Sequence, residues 1–277
     1  MTYDIGEANS MPPGKQVTNL GINTIFPRRH QVPTILAVGS HPDDIEVGCG
    51  GTLKAFADLG YKVYGVILTD GERGGDRKER LKEASTSAKI LGLESIFFEH
   101  LEDGKVSFNV DTVSTIEKYV KTLQPQKVIT HSKEDRHQDH WGCSCATQAA
   151  ARRSVKEILM YEVYGSTTAS FNPHYIVDIS ETIKSKLSSL KVHRSQIGKG
   201  VLNLDGLKEH AGSIGKQHGY KYAEAFEINH LLFDREKLAT EFNAFRLATN
   251  SLVPYHYRYY SEPKQRMEKS HGNTRKY

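Results

Sequence analysis

The chain has 277 residues, of which 38% are hydrophobic and 25% charged, with a formal net charge of +4. These globular proportions exclude collagen-like, mucin-like and wholly disordered chains. No apolar run reaches the about 18 residues that cross a bilayer, and residues 1–17 hold no apolar signal core. Three cysteines (Cys49, Cys143 and Cys145) fit a reducing compartment, so the expected setting is the cytoplasm. The basic clusters, at Arg28–His30 and from Lys264 to Lys276, read as solvated termini and not as a nucleic-acid footprint.

In chain order, residues 1–31 hold Gly6, Pro12, Pro13 and Gly14 with little periodicity and read as an extended arm. A short apolar run over 33–39 predicts a buried parallel strand, followed by a helix over 45–59 stopped at Gly60. A strand is expected at 62–69, a charged helix at 77–91 ended by Gly92, and a strand at 95–101. A helix at 110–123 stops at Gln124-Pro125, and a strand follows at 127–131. Beyond it the pattern predicts a helix at 141–151, strands at 157–164 and 174–179, and a helix at 181–197 capped by Ser180. A last helix at 219–224 leads into a strand at 225–230. Strands alternating with helices predict an α/β fold: one domain over 32–235, built on a Rossmann-like, mostly parallel sheet with helices on both faces. Residues 236–277, with an aromatic and basic run at 255–260, are set apart as a C-terminal extension.

Two clusters carry chemistry. His41-Pro42-Asp43-Asp44 follows the first strand, where ligands sit in open α/β sheets. One imidazole and one carboxylate suit zinc or another divalent metal, and adjacent aspartates repel each other unless a cation lies between them. The competing role for Asp43 or Asp44 is a cap for the next helix. Asp135-Arg136-His137-Gln138-Asp139-His140 follows the fourth strand at the same sheet edge. His41, Asp44 and one histidine of this cluster would make three ligands and leave a catalytic position open. Gly48-Cys49-Gly50-Gly51 lacks the spacing of a dinucleotide fingerprint. Trp141, Tyr164 and His193 suit either a ligand pocket or the core.

The run His41-Pro42-Asp43-Asp44 with Gly50-Gly51-Thr52-Leu53, then Thr69-Asp70-Gly71-Glu72, Arg80 to Ala84 and His137-Gln138-Asp139-His140, resembles the PIG-L/LmbE-like metal-dependent N-deacetylases. Weaker echoes stand at Ser195-Gln196 and over 222–226. The resemblance implies that His41, Asp44 and His140 hold zinc and that Asp43 is the general base. It implies that His137 stabilises the tetrahedral intermediate or protonates the amine, with Asp139 orienting it, and that Arg80 contacts substrate. The implied substrate is a small N-acetylated amino sugar or sugar conjugate, with no membrane span needed; a homo-oligomer is compatible with such a chain. The alternatives are a metal-dependent amide or ester hydrolase acting on a non-sugar, and a catalytically silent binding relative. Elementary chemistry agrees with the implied mechanism, because a divalent metal both polarises an amide carbonyl and acidifies bound water.

Overall fold

The computed structural model describes residues 32–233 and Leu238. The expected arm over 1–31 and, apart from Leu238, the extension over 236–277 lie outside the described residues. Its strands are β1 (Thr34–Gly39), β2 (Lys62–Thr69), β3 (Ser95–Leu101), β4 (Lys127–His131), β5 (Glu157–Tyr161), β6 (Tyr175–Asp178) and β7 (Ala223–Leu231). The helices are α1 (Asp44–Asp58), α2 (Arg77–Leu91), α3 (Val110–Leu123), α4 (Gln138–Ala151), α5 (Ile183–Lys191), α6 (Arg194–Ile197) and α7 (Leu204–Gln217). No helix among the described residues is long and apolar enough to cross a membrane.

The strands form one sheet in the order β3-β2-β1-β4-β5-β7-β6. β1 to β5 run parallel, while β7 pairs antiparallel with both β5 and β6. The expected mostly parallel α/β sheet is therefore present, with an antiparallel edge. Side chains alternate along β1. Leu36 and Val38 join a cluster with Ile116 of α3 and Cys143 and Ala146 of α4; Ile35 and Ala37 join the opposite one, with Ile45, Cys49 and Leu53 of α1. Burial on both faces is what a parallel strand requires.

β1 lies between β2 and β4. The chain leaves β1 toward one edge of the sheet and leaves β4 toward the other, which opens a crevice between their carboxyl ends. That topology brings the two sequence clusters together.

The glycines after the first cluster have packing roles. A Cβ at Gly48 would lie 2.0 Å from the Tyr161 ring, and one at Gly51 would lie 2.8 Å from Ile179. They let α1 settle onto β5 and the segment after β6, with no need of a phosphate.

Beyond shifts of one or two residues at other element ends, four expected elements differ. α4 starts at Gln138, not 141, so His140 sits in its first turn. β5 ends at Tyr161, because the amides of Ser166 and Thr167 both turn back onto the Val163 carbonyl. The long helix expected at 181–197 is broken at Val192-His193, where His193 turns inward beside Glu46 and the Ser195 amide takes Glu83 as its acceptor. Ser180 donates to Asp178 instead of capping. The helix expected at 219–224 is absent; α7 forms earlier, capped by the Asn203 side chain on the Gly206 amide.

Candidate metal centre and cleft

The turn after β1 is shaped around Asp44. Its Oδ2 accepts from the backbone amides of Ser40 (3.0 Å) and His41 (2.7 Å), and His131 Nε2, at the end of β4, lies 3.1 Å away. Neither aspartate acts as the cap: Asp43 occupies the N-cap position of α1 without a side-chain cap bond, and its φ is +125°. A non-glycine residue in that region stores roughly 1–3 kcal/mol of strain.

Three ligand residues converge. His41 Nδ1 is 3.2 Å from His140 Nε2 and 3.3 Å from Asp44 Oδ2, and His140 Nε2 is 3.3 Å from Asp44 Oδ1. One ligand atom from each of the three residues lies within 4.8 Å of the others, a spacing compatible with zinc bonds to nitrogen and oxygen of about 2.0–2.2 Å, so the set fits a small divalent cation. Carboxylates behind the imidazoles complete the fit. His140 Nδ1 lies 3.0 Å from Asp135 Oδ2, and His41 Nε2 lies 3.2 Å from both Asp103 Oδ1 and Asp139 Oδ2. Each ring thereby presents its other nitrogen to the triangle.

The electrostatics are those of a cation site. Burial opposes a charged His140, but the Asp44 carboxylate and the Asp135 hydrogen bond outweigh it and lift its pKa to about 9. His131, wholly buried, drops to about 4. Burial also raises Asp43, to about 6, against the pull of the Arg80 guanidinium.

Arg80 is 4% exposed. Its Nη1 donates to the Gly71 carbonyl and its Nη2 to that of Pro42, both at 2.8 Å, and Nη2 lies 3.3 Å from Asp43 Oδ1. It lines the cleft, yet both its terminal nitrogens are engaged by the protein itself.

His137 is the N-cap residue of α4, with its ring centroid 4.9 Å from that of His41 and 4.5 Å from that of His140. Its Nδ1 accepts the Asp139 backbone amide at 3.2 Å, which leaves Nε2 as the N–H donor of the neutral ring. The expected pairing of the Asp139 carboxylate with His137 is corrected here. That carboxylate accepts the amides of Gly104 (2.7 Å) and Val106 (3.1 Å) and faces His41. It stays within 4.8 Å of a His137 ring nitrogen, but its hydrogen bonds go to these other partners.

A cleft of about 640 Å³ opens over these groups. Tyr164 lines it, whereas Trp141 stands outside on the surface and His193 is fully buried beside Glu46. Three further partners of the triangle, His131, Asp135 and Asp103, carry little signal in the sequence. His131 had one readable signal, a histidine closing a strand that borders β1. Asp135 stood unassigned in its own cluster, and Asp103 has no local signal at all.

The family model PIG-L, described as GlcNAc-PI de-N-acetylase, matches residues 36–151. An uncharacterized deacetylase of Escherichia coli, YaiS, is 36% identical over 169 residues, covering 58% of this chain and 90% of its own length. The diacetylchitobiose deacetylase of Thermococcus kodakarensis is 27% identical over 224 residues, covering 72% of this chain and 84% of its own. Among solved structures, the N,N'-diacetylchitobiose deacetylase of Pyrococcus horikoshii superposes with a TM-score of 0.64 at 26% identity, over 70% of this chain and 83% of that one.

Proposed function

We propose, for a chain that belongs to the PIG-L/LmbE family of deacetylases, a zinc-dependent enzyme that removes an acetyl group from an N-acetylated amino sugar or sugar conjugate. The observation that carries this reading is the triangle of His41, Asp44 and His140 with Asp43 standing beside it on the floor of one cleft. Relatives that act on diacetylchitobiose support the sugar. The three free cysteines fit a cytoplasmic setting.

His41, Asp44 and His140 would hold the cation, which when bound supplies carbonyl polarisation and a lowered pKa for water. Asp43 takes the proton of the attacking water. Arg80 occupies its Oδ1 side and leaves Oδ2 as the acceptor. The His137 Nε2–H donates to the oxyanion that develops on the amide oxygen. Asp43 then returns its proton to the departing amine. Asp139 and Asp135 orient His41 and His140.

The test compares Asp43→Asn with Asp44→Ala for bound metal and for amine released from N-acetylglucosamine. Asp43→Asn is expected to keep about one metal per chain and lose most activity; Asp44→Ala is expected to lose both. Equal metal loss in the two variants would reverse the assignment of base and ligand. Reconstitution with zinc, iron(II) or cobalt(II) in turn identifies the working metal, since a His/Asp/His set accepts all three.

A further inference from the structure

The cleft has two unlike walls. One is polar, carrying Arg73, Asp103 and Gln138. The other is apolar: Val163 and Tyr164 from the loop after β5, Val201 and Leu202 from the loop before α7, and Leu207 from α7 itself. Behind this wall Val47, Leu190, Leu202 and Leu207 form a buried cluster that surfaces at the cleft. At the mouth, Val201 is 64% exposed and Tyr164 is 45% exposed.

The wall is built, not loose. The Tyr164 ring rests 4.9 Å from the His210 ring, and His210 Nε2 is held 2.7 Å from Glu162. The polar residues that line the cleft beside this wall are engaged by the protein: Asn203 Oδ1 caps α7, Ser166 Oγ donates to Asp135, and Gln196 Nε2 donates to the Gly74 carbonyl and to Ser195 Oγ. The loop carrying Val163 and Tyr164 is also tied to the triangle: Ser166 Oγ donates to Asp135 Oδ1 at 2.5 Å, and the same carboxylate holds His140. The Val163–Ser166 part of the wall is thereby linked through Asp135 to the ligand His140. A free amino sugar is rimmed with hydroxyls and would leave the wall facing water. The cavity volume falls within the about 300–1,000 Å³ that holds a ligand of drug size.

We propose that the substrate is an amino sugar bearing an apolar substituent, which lies on Val163, Tyr164, Val201, Leu202 and Leu207 while the amide reaches the triangle. This rests on the deacetylase reading above. The substituent comes either from the glycosidic side or from the acyl side, and the experiment separates the two.

Binding is measured by calorimetry on metal-loaded Asp43→Asn protein, with N-acetylglucosamine, its hexyl glycoside and N-hexanoylglucosamine as probes. At least one hexyl compound is expected to bind tenfold or more tightly than N-acetylglucosamine, and which one does so names the side. Adding Val201→Asp, at a position exposed enough to spare the fold, is expected to bring that ratio toward one. Affinities of all three within threefold of each other would overturn the proposal, as would a preference that survives Val201→Asp. Amine release by the wild-type protein is followed in parallel. A binding preference with no amine released from any probe would support the apolar wall and overturn the deacetylase reading; release from N-acetylglucosamine with no preference would do the reverse.

Discussion

Arg80 Nη2 bridges the Pro42 carbonyl, at 2.8 Å, and Asp43 Oδ1, at 3.3 Å, so one guanidinium nitrogen holds both the strained turn and the carboxylate it presents. With Nη1 on Gly71, Arg80 ties the turn after β1 to the loop after β2. Arg80→Met is therefore expected to lower kcat by about 10–100-fold, the scale of losing a residue that orients catalytic groups, with KM little changed. Steady-state kinetics on N-acetylglucosamine decide it. A raised KM with kcat intact would make Arg80 a substrate contact instead.

The carboxylates and the imidazole behind the triangle set its affinity. Asp135→Asn and His131→Gln are each expected to weaken metal binding by about 10–100-fold. Competition against a chromophoric chelator reads this directly, and unchanged affinity in both variants would remove them from the site.

A second buried device sits behind α1. Lys186 Nζ donates to Glu224 Oε1 at 2.5 Å and to the Val47 carbonyl at 2.7 Å, while Glu224 accepts the Gly51 and Thr52 amides. Both side chains are at most 5% exposed. Lys186→Met alone leaves a buried carboxylate uncompensated and is expected to cost about 3–5 kcal/mol of unfolding free energy, whereas Lys186→Met with Glu224→Met costs markedly less. Urea unfolding of the wild type, both single variants and the double variant tests this, and a double loss equal to the sum of the single losses would contradict it.

His193 supplies a pH dependence. Burial opposes its charge, but the Glu46 hydrogen bond, 3.3 Å from Nε2, and the Glu46 charge outweigh burial and raise its pKa above the usual histidine value of 6.5. A folded pKa above the unfolded one means stability that is fully present below about pH 6.5 and is lost as pH rises through the raised value. The stability gap between wild type and His193→Gln is thus expected to be widest near pH 5.5 and to narrow on the alkaline side. Denaturant melts across pH would refute it by showing a gap that widens as pH rises.

The elements from β1 to β4 could be read from the sequence because their signals are local: apolar runs of strand length, with Gly60, Gly92 and Gln124-Pro125 as stops. α7 was hidden by Gly206, Gly212 and Gly215, which dilute its apolar stripe. Gly215 is present because a Cβ there would meet the Tyr222 backbone at 2.8 Å, a reason that exists only in three dimensions. The convergence of His41, Asp44 and His140 was legible because strand ends at a switch point must adjoin. The direction of Asp139 was not. Its carboxylate is taken by the Gly104 and Val106 amides and by His41, partners from other segments that no local spacing encodes. Asp103 reaches His41 from a different loop, and no spacing encodes that approach.

The backbone of Asp43 sets two kinds of fitness against each other. Glycine would accept its φ of +125° without penalty, so selection for thermal robustness alone would drift toward Asp43→Gly. If Asp43 is the base proposed above, an aspartate at position 43 is held there against the folding energy, and a related chain that has lost the activity is expected to drift toward glycine at this position.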